Sequence, residues 1–334
     1  MIFRFGKQPR TVKDYAVGLY DLNGYHMCKR RQKLRSLIDK TAEVRTYIIK
    51  DYVIPLWGDI ALSDMTVKII DEKLVNVRSV KYERELSGVF KNVILIILDD
   101  VFKAAMEDGA ININPVKSVM RFSHTITHPR GAIPKEEMRL LFPASHDELL
   151  KVWKNQIHAV AYLILRDTGL RPGELRALQW GDWYPDLRFF PITKAIESGK
   201  RDKIKCTKTG SVKPAVVKEQ TAVEIENLRN SVKDYSAEKF IFASKKYGTF
   251  SIYSLVYNFR QGVLRAGLNR PEYSPYWLRH TFNTRMLGIL PDEIVRLLMG
   301  HATPAMTGHY YHPDIESLKR EAEKIQRVLN SIDG

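Results

Sequence analysis

The feature that most constrains the fold is a break in helical periodicity before the middle of the chain. On both sides of the break, apolar residues recur at the spacing of amphipathic helices. Between them, "RFSHTITHPRGAIPK" has no such period and is rich in Pro, Gly, Ser and basic residues, which is typical of an exposed linker. A chain of 334 residues is long enough for two hydrophobic cores. We therefore expect two domains, residues 1–122 and 135–334, joined by a linker at 123–134.

The first expected domain has helical patterns. Its strongest segment is "LSGVFKNVILIILDDVFKAAMEDG", in which Gly109 is well placed to end a helix. An earlier segment, "KTAEVRTYIIKDYVIPLWG", spaces Val44, Tyr47, Ile48 and Tyr52 at helical period. This spacing predicts that these four side chains share one helix face.

The second expected domain is mainly helical but includes short β-rich runs. The stretch "DELLKVWKNQIHAVAYLILRDTG" carries a continuous apolar stripe, which predicts one long helix that ends at Gly169. Next come "DLRFFPIT", "DKIKCTK" and "KPAVVK", joined by Gly and polar turns, a pattern typical of antiparallel strands. Helical patterns then return. The predicted fold class is mainly α with a small antiparallel β-sheet.

The charge balance favours a polyanionic partner. Lys and Arg number 53 against 38 acidic residues, a formal net charge of +15, and neutralising phosphates with such a surplus releases condensed counterions. A basic soluble protein with no nucleic-acid partner could have the same composition, so the choice between these interpretations depends on the motifs. The sequence has no apolar run of about 18 residues, so we expect no membrane-spanning helix. The two cysteines, Cys28 and Cys206, are far apart in the sequence, which suits a protein of the reducing cytosol. Two thiolates are also too few for a structural zinc site.

Arg171 occupies a position suited to binding an anion. In "DTGLRPGELRAL", Gly169 breaks one helix and Pro172 suits the first position of the next. Arg171 is therefore expected at a helix N-terminus, where backbone N–H groups and the helix dipole favour negative charge. Glu174, one turn on, is placed to pair with Arg171. An isolated arginine in this position is more often a solvated surface residue.

Two further motifs carry basic groups but are weak on their own. Lys208 lies at a predicted hairpin turn in "CTKTGSVK" and is a candidate proton donor, with Lys205 and Lys213 as local competitors. In "YWLRHTFNTR", Tyr276 and Arg279 are three residues apart and share a helix face.

Residues 300–313 read "GHATPAMTGHYYHP" and follow an apolar helical run that Gly300 is placed to end. His301 therefore lies just past a rigid element. A metal site would use His301, His309 and His312, with Asp314 as the nearby carboxylate. The i, i+4 histidine pairing of helical zinc sites is absent, so a metal-dependent hydrolase is the weaker interpretation.

Taken in order, these motifs resemble the catalytic domain of tyrosine recombinases, the phage-integrase family. "TGLRPGEL", "TKTG", "LRHTFNTR", and "LMGH" followed by "TGHYYH" occur in the order of that family. The segments "YVIPLWGDIALSDMT" and "FKNVILIILDDVFKAAMEDGAININP" are similar to its helical core DNA-binding domain. The resemblance covers roughly residues 11–315 and implies a core-binding domain followed by a catalytic domain.

The resemblance implies site-specific DNA strand exchange, as in integration or excision of a phage or mobile element, with no metal or other cofactor. A tyrosine attacks a DNA phosphodiester, forms a 3′-phosphotyrosyl link and frees a 5′-hydroxyl. The implied partners are a double-stranded DNA attachment site, further copies in a homo-tetramer on paired sites, and accessory DNA-bending proteins. The implied location is cytoplasmic and nucleoid-associated.

Residue roles follow from the family's motifs. Arg171 and Arg279 would clamp the non-bridging phosphate oxygens, and Glu174 matches the acidic position that supports the site. Lys208 would be the general acid for the departing 5′-oxygen, and His301 would hydrogen-bond the phosphate.

The family places its nucleophile nine residues past this histidine, in a T-x-x-Y-x-H pattern. Thr307, Tyr310 and His312 satisfy the pattern, so the resemblance implies that Tyr310 attacks. Tyr311 is expected to pack or lie exposed beside it.

One position departs from the family. Its H-x-x-R motif begins here with Tyr276, and a phenol with an ordinary pKa near 10 is a poor proton shuttle. The departure keeps open an alternative function, a non-catalytic DNA-binding architectural or regulatory protein with the recombinase fold.

Overall fold

The computed structural model describes residues 10–33, 37, 39–123, 131–197, 199–206, 212–244, 248–300 and 315–333. The chain divides into two compact units, residues 1–128 and 129–334. Each unit buries apolar side chains in a core of its own.

The first unit is helical and has six α-helices among its described residues. They are α1 (Val12–Ala16), α2 (Tyr25–Gln32), α3 (Asp39–Ile48), α4 (Ile54–Trp57), α5 (Val67–Val75) and α6 (Gly88–Glu107). A π-helix over Ile49–Val53 joins α3 to α4. The longest helix, α6, begins where the Ser87 hydroxyl accepts a bond from the Phe90 N–H. It ends before Gly109, which adopts a φ of 68°, as the sequence predicted.

The helix face predicted for α3 is wrong in part. Val44 and Tyr47 are 45% and 65% exposed, whereas the other two residues of that set are buried. In the π-helix over Ile49–Val53 the backbone hydrogen bonds run from i to i+5, a wider turn than in an α-helix, so the buried face shifts between α3 and α4. The inward side of α3 carries Arg45, whose guanidinium bonds to the buried carboxylate of Asp100 in α6.

The second unit contains the remaining nine α-helices that the structure describes. They are α7 (Lys135–Leu141), α8 (His146–Trp153), α9 (Gln156–Thr168), α10 (Pro172–Arg176), α11 (Glu219–Ser231), α12 (Ile252–Arg265), α13 (Pro275–Leu287), α14 (Asp292–Met299) and α15 (Ile315–Asp333).

The single helix predicted before Gly169 is in fact two helices, α8 and α9. Lys154 ends α8 with a φ of 66°, in the left-handed region. The Asn155 side chain then caps α9 by accepting a bond from the His158 N–H at 3.0 Å. Gly169 ends α9, as predicted, with a φ of 60°.

The strands of the second unit form two short antiparallel ladders. They are β1 (Phe189–Ile192), β2 (Lys194–Ile196), β3 (Ile204–Cys206) and β4 (Lys213–Val216). β1 pairs with β4, so that Ile192 lies opposite Lys213, and β2 pairs with β3. The predicted fold class, mainly α with a small antiparallel sheet, is confirmed.

The last helix, α15, packs on the second unit itself. Leu318, Ala322 and Ile325 are buried in one cluster with Phe189 of β1 and Val216 of β4. Across the described ranges, none of the helices combines the length and apolar character needed to cross a membrane.

Candidate active site

The junction of α9 and α10 positions Arg171. A side chain on Gly169 would bring a Cβ atom within 2.6 Å of the Phe282 ring in α13, so this turn requires glycine. Arg171 is the N-cap residue of α10, and Pro172 occupies the first turn. With only five residues, α10 serves here to fix the direction of Arg171.

Glu174 holds Arg171 at both its backbone and its side chain. One carboxylate oxygen of Glu174 accepts the Arg171 backbone N–H at 3.0 Å, and the other accepts Nη1 of the guanidinium at 2.8 Å. The Glu174 side chain is buried, whereas a quarter of the Arg171 side chain remains exposed. The pair predicted from the sequence is therefore present, with the guanidinium fixed in orientation.

Arg279 approaches the same place from α13. Its guanidinium donates to the Gly169 carbonyl at 2.5 Å and to the Met299 carbonyl at 2.7 Å. These carbonyls belong to the ends of α9 and α14, so Arg279 ties three helices together. Burial and the neighbouring charge of Arg171 lower the pKa of Arg279 to about 10, and the group stays positively charged near neutral pH.

A third cation, Lys213, lies in the cluster. It is the first residue of β4, it is 1% exposed, and its Nζ lies 3.2 Å from the Glu174 carboxylate. Burial lowers the pKa of Lys213 to about 8, an effect that Glu174 opposes and the charges of Arg279 and Arg171 reinforce. The sequence placed Lys213 only among the competitors of Lys208. The available signal was its position at the start of an apolar β-rich run.

The charges of the cluster are unbalanced. Arg171, Arg279 and Lys213 bring three positive charges to one carboxylate. Burial raises the pKa of Glu174, but Lys213 and Arg171 outweigh it and hold that pKa below its ordinary value. The carboxylate is therefore ionised at neutral pH, and among the described residues it faces more than one positive charge. Such an arrangement suits a bound oxyanion.

Tyr276 lies near the cluster. It is one turn before Arg279 on α13, is 43% exposed, and interacts electrostatically with that guanidinium.

Three predicted site residues, Lys208, His301 and Tyr310, lie outside the described residues. So do the histidines on which the metal interpretation rests. Within the described ranges, no group of three or more His, Cys, Asp or Glu side chains is arranged to hold a metal ion.

Comparison with known proteins identifies the family of this chain. Residues 132–317, more than half of the chain, match the phage integrase family. The chain belongs to the phage integrase family. The resemblance drawn from the motifs is thereby confirmed, and membership supports an enzyme that breaks and rejoins DNA in site-specific recombination.

Similar proteins include tyrosine recombinase XerC of Pediococcus pentosaceus, 24% identical over 259 residues, which cover 77% of this chain and 82% of that protein. Among solved structures, the Tn1549 transposon integrase in complex with transposon right end DNA aligns with a TM-score of 0.67 at 20% identity, over 95% of this chain and 100% of that one. A lambda integrase tetramer bound to a Holliday junction aligns with a TM-score of 0.64 at 16% identity, over 92% and 80%.

Proposed function

We propose that this phage integrase family member catalyses site-specific DNA strand exchange through a covalent 3′-phosphotyrosyl intermediate, with Tyr310 as the nucleophile. The observation that carries the proposal is the cluster of Arg171, Arg279, Lys213 and Glu174. Three cations fixed around one carboxylate form a preorganised positive site, which is what the crowded negative charge of a phosphoryl-transfer transition state requires.

In the proposed step, the Tyr310 hydroxyl loses its proton to water, and a bond forms between Oη and the DNA phosphorus while the bond from phosphorus to the 5′-oxygen breaks. Arg171 and Arg279 stabilise the non-bridging oxygens. Lys208 donates a proton to the departing 5′-oxygen, and His301 hydrogen-bonds the phosphate. The energy of the broken bond is kept in the phosphotyrosyl link, so another 5′-hydroxyl can reverse the step on a different strand.

We further propose that residues 1–122 form a core DNA-binding domain and residues 135–334 the catalytic domain, joined by residues 123–134. The substrate is a double-stranded attachment site of a phage or mobile element, bound by a homo-tetramer on paired sites, with accessory DNA-bending proteins as further partners. The net charge of +15 supports binding to a polyanion. The partners are also supported by two similar solved structures, the Tn1549 integrase in complex with transposon right end DNA and the lambda integrase tetramer bound to a Holliday junction. We propose a metal-independent reaction in the cytoplasm, on nucleoid DNA.

A non-catalytic DNA-binding protein is the alternative that Tyr276 favours, because a phenol is a poor proton shuttle at neutral pH. The buried cluster opposes this alternative. Burying several positive charges close together costs stability, and a protein that only bound DNA would gain no chemistry from it. We therefore place catalysis first.

The proposal is tested with a nicked suicide duplex built from the DNA that flanks the gene. The protein is incubated with the duplex in EDTA, and covalent adducts are separated on a denaturing gel. We expect a DNA-linked band for the wild type and for Tyr311→Phe, the matched control one residue away. We expect none for Tyr310→Phe.

Other outcomes separate the alternatives. Specific binding to the duplex without an adduct would support the architectural protein. An adduct or cleavage that EDTA abolishes would support metal-dependent chemistry. An adduct that persists in Tyr310→Phe would assign the nucleophile elsewhere.

A further inference from the structure

Lys213 is a buried ammonium group with unfilled hydrogen-bonding capacity. Its Nζ contacts the Glu174 carboxylate at 3.2 Å in an ion pair. Nζ makes no other hydrogen bond with the residues that the structure describes. An ammonium carries three donors, so this group is both desolvated and incompletely paired.

Such a group is costly unless a negative charge compensates it. The effective penalty for burying an ion is several kcal/mol, and the Glu174 carboxylate, the one ion-pair partner of Lys213 in the described part of the chain, is shared with Arg171. A tetrahedral oxyanion at the arginines would supply the missing negative charge. The cluster is therefore most favourable when Lys213 is protonated and an oxyanion is bound.

We propose that Lys213 is a positioning residue of the phosphate site, which holds Glu174 against Arg171 and must be protonated for tight oxyanion binding. The proposal deepens the function proposed above, since it rests on the arginine cluster being the phosphate site. It adds a fixed cation to the site, distinct from Lys208 at the predicted turn. Lys213 acts through Glu174 and through its charge, without contact to the reacting atoms.

Because Lys213 is buried, its pKa is low enough for a bound ligand to change its protonation near neutral pH. With a pKa of about 8, Lys213 loses its proton within an accessible pH range and before Arg279, whose pKa is about 10. By linkage, an oxyanion that raises this pKa must bind more weakly once the proton is lost. Oxyanion affinity should therefore fall as the pH rises through 8.

The charged groups around Lys213 come from several elements. Glu174, Arg279 and Arg171 act on it most directly, and β1 carries no charged residue. Among the charged groups of the helices that contact β4, Arg166 pairs with Asp167 on α9, Arg296 with Asp292 on α14, and Lys319 with Glu316 on α15. Further charged groups on α15 are Glu323, Lys324 and Arg327. α15 also carries Arg320 and Glu321.

Sulfate is a suitable probe, because it is a tetrahedral dianion whose charge is constant between pH 6 and 10. Its dissociation constant is measured on the full chain from sulfate-dependent thermal shifts at pH 7.0, 8.0, 9.0 and 9.5. The part of the response that Arg171→Gln removes reports on this site. Lys213→Arg keeps a charge across the range, and Lys213→Met has none. Lys194→Met is the matched control, since Lys194 forms a partly buried ion pair with Asp182 at 3.0 Å.

In the wild type, we expect the affinity for sulfate to fall by about tenfold between pH 7 and 9.5, the factor that one unit of pKa coupling gives. Lys213→Arg should show a much smaller fall, and only at the highest pH, where Arg279 with its pKa of about 10 begins to lose its proton. Lys213→Met should bind at every pH as weakly as the wild type does at pH 9.5. Lys194→Met should follow the wild type.

The proposal is overturned if Lys213→Arg keeps the wild-type fall, or if Lys213→Met binds sulfate as the wild type does. No DNA enters the experiment, so it is independent of the adduct assay. A normal DNA adduct with no sulfate effect would remove only the role of Lys213. The expected sulfate effect without any adduct would leave an oxyanion site and remove the recombinase.

Discussion

The two units each bury a carboxylate among cations, and the two clusters differ in how their charge is balanced. In the first unit, Asp100 accepts bonds from the Tyr20 hydroxyl at 2.8 Å and from the Arg45 guanidinium at 2.9 Å, with Arg30 at 3.6 Å. In the second unit, Glu174 faces Arg171 and Lys213.

The two clusters differ in how far their cations are exposed to solvent. The side chains of Arg30 and Arg45 are 27% and 19% exposed, so both guanidinium groups lie within reach of solvent. Lys213 and Arg279 are 1% and 7% exposed, and Lys213 shares the Glu174 carboxylate with Arg171. We infer that the Asp100 cluster stabilises the fold, whereas the Glu174 cluster is completed by an anionic ligand. Substitutions in the two clusters should therefore have different effects.

The largest expected effect is on activity in the second unit. Arg279→Ala should slow formation of the covalent DNA adduct by about a thousandfold, since removing one preorganised charge-stabilising donor costs about 10²–10³ in rate. Arg45→Ala is the matched control from the Asp100 cluster and should change this rate by less than about threefold. Single-turnover rates are measured where circular dichroism shows both variants folded. Equal losses in the two variants would contradict the division of roles.

In the first unit, the expected effect is on stability. Asp100→Asn should lower the free energy of unfolding by about 3 kcal/mol, because it leaves Arg45 and Arg30 without their buried partner. Urea denaturation followed by circular dichroism measures the change. Glu43→Gln removes an exposed pair with Lys40 and should cost less than about 0.5 kcal/mol. A loss no larger than that of Glu43→Gln would show that Asp100 stabilises nothing.

The pH dependence of stability distinguishes the clusters further. The pKa of Lys213 is about 8 in the folded chain and has an ordinary value of 10.5, so between these values the folded state holds fewer protons than the unfolded state. The free energy of unfolding of the wild type should therefore rise with pH over this window relative to Lys213→Met, by on the order of 1–3 kcal/mol. Below pH 8 the difference should be constant. Urea titrations at pH 7, 8, 9 and 10 measure it, and a difference that falls with pH would contradict the shift.

The smallest expected effect is that of one hydroxyl in the Asp100 cluster. Tyr20→Phe removes the bond to Asp100 but leaves the arginines, and it should lower the free energy of unfolding by about 1 kcal/mol. Tyr47→Phe, at an exposed position, should leave stability unchanged. Urea denaturation compares the two, and equal results would mean that the Tyr20 bond has no net effect.

Sequence reasoning succeeded where one local signal decides the structure. Gly109 and Gly169 end their helices, Pro172 starts α10, and Glu174 pairs with Arg171 three residues away. It failed where the signal was tertiary or ambiguous. The apolar stripe continues through the break between α8 and α9, so one helix was predicted. Lys154 adopts the left-handed conformation that ends α8, but a lysine does not predict a helix end as a glycine does.

The site was predictable to a similar degree. The motifs identified Arg171 and Arg279, but the contacts of Arg279 with the Gly169 and Met299 carbonyls depend on how three helices meet. Lys213 was left as an alternative because spacing alone does not say which lysine near a turn points inward. That choice depends on the pairing of β4 with β1, which sets Lys213 opposite Ile192.

The most direct test of the central claim is to locate the covalent bond to DNA. The adduct formed with the suicide duplex is digested with nuclease and protease, and the nucleotide-linked peptide is sequenced by mass spectrometry. We predict that a residual nucleotide is attached through its 3′-phosphate to Tyr310, with Tyr311 unmodified. Attachment to Tyr311 or to any other residue would contradict the proposed chemistry, as would a 5′-phosphate linkage.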